Sequence, residues 1–274
     1  MEEMFFYPGC GLKSGAEGYY TSIRSVFAKL DVNVRELPDW NCCGAVYPLS
    51  TDNLIQRGAP IRNLVKARSQ GAEVLYVACS MCYNVLKRAE QFAQTRQEEM
   101  KRVNELFEEY DDYSGGVEIR HISELLLERL QVVDILGTPQ EKKVAPYYGC
   151  TLVRPAEFAV PPRILEDILK TVGYTTITFR NTDRCCGAYH SINRPDITRT
   201  RVTEILTDAV NEGTEALILS CPLCEYNLAA FNMVDLPILW LTQAVGLVLG
   251  VSDLGLEYNR SVIEPFTREA SHHE

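Results

Sequence analysis

The apolar positions of this chain alternate between short continuous runs and longer stretches with helical spacing. Met4–Tyr7 reads as a short strand ending at Gly9-Cys10, and Ser14 as the N-cap of a helix running to about Leu30. Val32–Leu37 reads as a second strand, with Cys42-Cys43-Gly44 in the loop beyond it. Residues 52–70 read as a helix and Glu73–Ala78 as a buried strand, and a C-x-x-C motif at Cys79 opens the next helix. The second half copies this order. Strand Val144–Tyr148 is followed by helix Pro162–Val172, strand Thr175–Phe179, a loop with Cys185-Cys186-Gly187, helix Ile197–Asn211 and strand Ala216–Ser220. Alternating strands and helices predict an α/β fold with parallel sheets built from βαβ units. Each cysteine group then falls just past the C-terminal end of a strand, where open α/β sheets place their ligands.

Two stretches depart from this rhythm. Leu236–Val251 is almost wholly apolar, but at 16 residues, interrupted by Thr242 and Gln243, it is shorter than the roughly 20 a membrane span needs. It is expected to be a buried helix. Between the halves, residues 90–118 carry nine acidic and three basic side chains. Met100, Val103, Leu106, Phe107 and Tyr110 keep a helical spacing there, which predicts an amphipathic extension of the C-x-x-C helix, then a turn over Asp111–Gly116.

Composition adds little until the cysteines are counted. The 274 residues, 46% apolar and 23% charged, can bury a core without covalent staples. The net charge of −10 argues against a nucleic-acid binder. The N-terminus has neither a basic region nor a long apolar run, so the expected location is cytoplasmic, where disulfides are rare. Ten cysteines therefore need another purpose.

They form an internal repeat. Cys10, Cys42, Cys43, Cys79 and Cys82 recur as Cys150, Cys185, Cys186, Cys221 and Cys224, offset by about half the chain, with none left over. The neighbours repeat too: Tyr7-Pro8-Gly9 matches Tyr147-Tyr148-Gly149, and both CC pairs continue as CCGA. The expected units are residues 1–140, including the acidic extension, and 141–274. Thiolates select zinc, copper(I) or iron–sulfur centres. A structural zinc or an iron–sulfur cubane takes four ligands. Five per half is one too many for either, leaving one cysteine spare, reactive or bridging.

The whole pattern, from Tyr7 to about Leu249, resembles the duplicated cysteine-rich CCG domain of the B subunit of heterodisulfide reductase and its bacterial homologues. The resemblance implies two pseudo-two-fold-related Rossmann-like halves with cluster sites at the strand C-terminal ends. It implies a noncubane 4Fe–4S cluster on each five-cysteine set, which accounts for the fifth cysteine. The implied reaction is reductive cleavage of a mixed disulfide held between the clusters, each delivering one electron. No ferredoxin-like cysteine run and no G-x-G-x-x-G fingerprint is present. This chain is therefore expected to bind no flavin or nicotinamide. The resemblance implies electron input from a ferredoxin-like C subunit, itself supplied by a flavin-containing A subunit. A quinone-linked electron-transfer subunit with the same clusters, docking through Leu236–Val251, and a structural zinc protein are the alternatives.

Candidate substrate-side residues are fewer. Residues 144–201 carry eight basic and five acidic side chains. Arg154, Arg180 and Arg184 flank the second motif and Lys13 the first, as anion-binding or potential-tuning groups or as ordinary surface charge. His190, four residues after Cys186, is a candidate proton donor or a structural histidine. Tyr47 and Tyr189 follow the two CC pairs as packing groups or as donors near sulfur. His272 and His273 fall in a tail with no expected role.

Overall fold

The structure, a computed structural model, describes residues 2–45, 53–105, 107, 110, 112–132, 142–261 and 263–267, the side chains of 53–56 and 265 excepted. Tyr47, Leu106, Asp111, His272 and His273 lie outside the described residues.

The first half runs β1 (Glu2–Tyr7), α1 (Gly9–Ser14), α2 (Glu17–Lys29), β2 (Val32–Glu36), α3 (Asn53–Ser69), β3 (Val74–Val77), α4 (Ser80–Thr95), α5 (Gln97–Asn104), β4 (Glu118–His121) and α6 (Ile122–Val132). The second runs β5 (Lys143–Tyr147), α7 (Ile164–Thr171), β6 (Thr175–Thr176), α8 (Pro195–Asn211), β7 (Ala216–Leu219), α9 (Pro222–Ala230), β8 (Ile238–Trp240) and α10 (Leu241–Val248). Each half builds a four-stranded parallel sheet, ordered β2-β1-β3-β4 and β6-β5-β7-β8. The two orders are equivalent strand for strand. The central strands are buried on both faces, with Met4, Phe6 and Tyr7 of β1 and all of β7 inaccessible, as parallel sheets covered by helices require.

Several local expectations are corrected. Ser14 does not cap a long helix: it closes α1, and its hydroxyl donates to Cys10 O at 2.8 Å. Gly15 and Ala16 separate α1 from α2, glycine being a poor residue for a helix interior. The segment Leu236–Val251 is a strand and a helix rather than one buried helix. Ile238–Trp240 pairs with β7, and the two polar residues expected to interrupt the run start α10. Gln243 Oε1 accepts the Trp240 N–H at 3.1 Å, satisfying one of the backbone donors at the helix start. The acidic extension is likewise broken, at Arg96, between α4 and α5. Ladder pairing in the Thr175–Phe179 run covers Thr175–Thr176 only. The fourth strand of each sheet has no counterpart in the sequence reading, because β4 is four residues long with charged Glu118 and Arg120, and β8 lies inside an apolar run.

The halves interlock. α2 packs on α10, and α6 on α7, so helices of each half pack against helices of the other. Tyr19 and Trp240 stack with centroids 4.4 Å apart, and the buried Ser22 and Thr242 hydroxyls bond at 2.6 Å. Among the described residues, no helix is long and apolar enough to cross a membrane.

Candidate metal centre

Three loops at the C-terminal ends of the strands carry the cysteines of each half. Cys10 lies in α1, directly after β1. Tyr7, the last residue of β1, buries its ring and donates its hydroxyl to Asn41 O at 2.8 Å, tying this loop to the residue before the CC pair. Tyr147 repeats the contact, donating to Arg184 O at 2.5 Å. The first CC loop is also held to α3, where Asn63 accepts the Asn41 N–H and donates back to Asn41 O, both at 2.9 Å. The second is held to α8 by Thr198, which donates to Gly187 O at 3.0 Å. Cys79 and Cys221 are the extended N-cap residues of α4 and α9, and Pro222 takes the first position of α9, where no N–H is needed. The second cysteine of each C-x-x-C therefore falls in the first helical turn, where its backbone N–H favours the thiolate of the first.

The glycines are part of the cradle. Gly9 and Gly149 have φ of +68° and +63°, and a Cβ there would come within 3.0 and 3.2 Å of Cys82 and Cys224 Sγ. Gly44 and Gly187 are also left-handed, which lets their N–H groups donate to Cys42 Sγ (3.5 Å) and Cys185 Sγ (3.3 Å).

The ten sulfurs form a continuous string. Cys10 meets Cys42 at 3.8 Å, and Cys43 meets Cys82 at 3.3 Å. The adjacent cysteines of the pair thus turn to different partners. Cys82 and Cys79 shift each other's thiol pKa, and Cys79 is shifted in turn by Cys221 of the other half. Cys221 is shifted by Cys224, Cys224 lies 3.5 Å from Cys186, and Cys185 is shifted by both Cys186 and Cys150. Cys10 and Cys185 are exposed, Cys42 and Cys150 half-buried, and the six between them buried. Hydrogen bonds from Cys42 and Cys82 push the Cys43 thiol down to about 4 against the cost of burial. Bonds from Cys150 and Cys186 push Cys185 down likewise, while Cys42 and Cys150 are pushed up.

This donor set fits polynuclear metal ligation. All ten cysteines are free, with sulfurs well beyond the 2.05 Å of a disulfide. Separations of 3.3–3.8 Å compare with the edge, about 3.8 Å, of a tetrahedron with 2.3 Å metal–sulfur bonds. Among the described residues, no three His, Cys, Asp or Glu side chains converge on a point that would hold one ion.

Residues outside the sulfur string are distributed as follows. Lys13 is engaged, with Nζ 2.7 Å from a Glu36 carboxylate oxygen and 3.7 Å above the Tyr20 ring. Arg154 pairs with Asp183 at 2.5 Å. Arg184 and Arg180 are exposed and line an open cleft of about 390 Å³ with Asn181, Glu204 and Asp208. His190 is exposed in a short turn after the second CC loop, and Tyr189 reaches across to Ala45 O of the first. The sequence reading missed Asn227, buried in α9, whose amide lies 3.5 Å from Cys186 Sγ and 2.8 Å from Ser191 Oγ. Its position three residues after Cys224, one helical turn on, was the available signal.

Comparison with known proteins places this architecture. Residues 4–87 and 144–229 each match the cysteine-rich domain family CCG. The 8-methylmenaquinol:fumarate reductase membrane anchor subunit of Wolinella succinogenes is 30% identical, over 94% of this chain and 96% of its own. The B subunit of the ferredoxin/F(420)H(2)-dependent CoB-CoM heterodisulfide reductase of Methanosarcina acetivorans is 25% identical over 94% of each. Among solved structures, a hypothetical protein from Helicobacter pylori shares the fold with a TM-score of 0.74 at 14% identity. That match covers 96% of this chain and 54% of the other. With both halves matched, and each matched segment spanning all five cysteines of its half, the chain belongs to the CCG cysteine-rich domain family and carries the domain twice.

Proposed function

We propose that the chain is the iron–sulfur catalytic subunit of a heterodisulfide-reductase-like complex, divided into repeats at residues 1–140 and 141–274. In this reading Cys10, Cys42, Cys43, Cys79 and Cys82 hold one noncubane 4Fe–4S cluster. Cys150, Cys185, Cys186, Cys221 and Cys224 hold the other. The observation that carries it is the meeting of the two C-x-x-C loops across the repeat interface, where the Ser80 and Ser220 hydroxyls lie 3.2 Å apart and Cys79 and Cys221 shift each other's pKa. Cleaving a disulfide takes two electrons, and two adjoining one-electron centres divide that demand. When bound, the clusters would supply those electrons and a Lewis-acidic iron for the sulfur being released.

The chain's own residues have separate tasks. The glycine N–H groups and the helix N-termini stabilise the thiolate ligands. Arg184, with Arg180, binds an anionic group of the substrate in this reading. Lys13 can do so only by leaving Glu36. His190, exposed beside the second loop, can deliver a proton from solvent. Electrons enter from a partner protein, a ferredoxin-like subunit supplied in turn by a flavin-containing one. The similarity to the fumarate reductase subunit supports a second reading, an electron-transfer subunit linked to a quinol.

Metal and sulfide analysis tests the clusters: about eight irons and eight sulfides per chain are expected, and two zincs without sulfide would sink the reading. Cys10→Ala or Cys150→Ala should each halve the iron. Activity with disulfides against a menaquinol analogue separates the two tasks, and quinol turnover without disulfide cleavage would select the second.

A further inference from the structure

Tyr189 crosses from one cysteine set to the other. It stands in the short turn Ala188–His190 that follows the second CC loop. Its hydroxyl donates to Ala45 O, in the first CCGA motif, at 3.0 Å. The same oxygen lies 3.8 Å from Met81 Sδ, between Cys79 and Cys82. Yet the residue is 55% exposed. The ring therefore reaches from the rim of one set toward the buried Cys43 and Cys82 of the other while staying open to solvent. Burial and the nearby thiols of Cys150, Cys43 and Cys185 raise the pKa of its hydroxyl, so both sets lie within electrostatic reach of this one group.

The strength of the contact decides its role. A neutral hydrogen bond at a wet surface favours its closed position by roughly twofold to tenfold. That is too little to brace two halves already joined by Tyr19–Trp240 and Ser22–Thr242. It is enough to hold a side chain closed most of the time and release it on demand.

We propose that Tyr189, bridging the two CC loops, is a specificity-determining gate over the cysteine sets. Closed on Ala45, it admits small thiols or disulfides to the inner sulfurs and retards bulky ones. This rests on the cluster reading above, because the ligand is one that approaches a sulfur-bound metal.

The test uses protein whose iron and sulfide have been measured. Rates at which 2-mercaptoethanol and glutathione perturb the cluster absorption and paramagnetic resonance spectra are compared between variants. Tyr189→Phe keeps the ring and loses the latch, so the glutathione rate should rise roughly twofold to tenfold while the 2-mercaptoethanol rate stays near wild type. Tyr189→Ala removes the ring, so the glutathione rate should rise further and the preference for the small thiol should collapse. Iron content should stay unchanged in both. Tyr226→Ala, which removes an equally exposed ring from α9, should leave both rates at wild type. Wild-type rates and thiol preference in both Tyr189 variants would overturn the gate. If the wild-type chain holds no iron or sulfide, the cluster reading falls instead. The gate is then decided by alkylation of Cys43 and Cys82 with iodoacetamide, which should be faster in the same two variants.

Discussion

Adding one methyl group at Gly9 or Gly149 should empty one metal site and spare the other. Both glycines sit in the left-handed region, where an L-residue costs about 1–2 kcal/mol. At about 2–4 °C per kcal/mol for a chain of this size, Tm should fall by roughly 2–8 °C. The larger effect is local. The new Cβ would stand 3.0 Å from Cys82 Sγ in Gly9→Ala and 3.2 Å from Cys224 Sγ in Gly149→Ala. Relieving those contacts moves a sulfur by a few tenths of an ångström, beyond the roughly 0.2 Å tolerance of a metal–ligand bond. Each variant should therefore bind about half of the wild-type iron and sulfide and show the spectrum of the surviving centre. Gly213→Ala is the control, with φ of +79° and no atom within 4 Å of the added Cβ. It should lose similar stability and keep all its iron. Full iron in Gly9→Ala and Gly149→Ala, or iron loss in Gly213→Ala, would refute the claim that these glycines make room for ligand sulfur.

Other consequences follow from particular contacts. Ser22→Ala strands the buried Thr242 hydroxyl and should cost about 1–3 kcal/mol, read as a lower urea midpoint in a transition that stays single because the halves interlock. Asn227→Leu removes an N–H···S bond to Cys186, so a redox titration should show a lower potential for the second centre with the first unmoved. His121 is fully buried, and its ring nitrogens bond Ala78 O and Ser123 Oγ. Burial pulls its pKa from 6.5 down to about 4, so the unfolded chain binds the extra proton between those values. Stability from this group is present above pH 6.5 and should be lost as pH falls toward 4, by about 3 kcal/mol in all. Urea unfolding at pH 7 and pH 4.5 should show the loss in wild type and its absence in His121→Gln.

Much of this molecule was legible in one sequence because its chemistry is repeated. Two copies of Gly-Cys, CCGA and C-x-x-C at matching intervals mark the two cysteine sets, and alternating apolar runs place each motif past the end of a strand. The readings that failed did so where tertiary packing overrode local pattern. The apolar run 236–251 became a strand and a helix because Ile238–Trp240 found β7 to pair with, and periodicity cannot separate a buried strand from a buried helix. Ser14 closed a helix rather than opening one because its hydroxyl met Cys10 O. By itself, then, the sequence determined the duplication, the ten thiols and the parallel α/β scaffold, since each is written in residue type and spacing. Only the tertiary structure decided the order of the sulfurs, the meeting of Cys79 with Cys221 and the passage of Tyr189 across to Ala45. These contacts join residues up to 144 positions apart, and no spacing rule specifies them until helices of each half pack against the other.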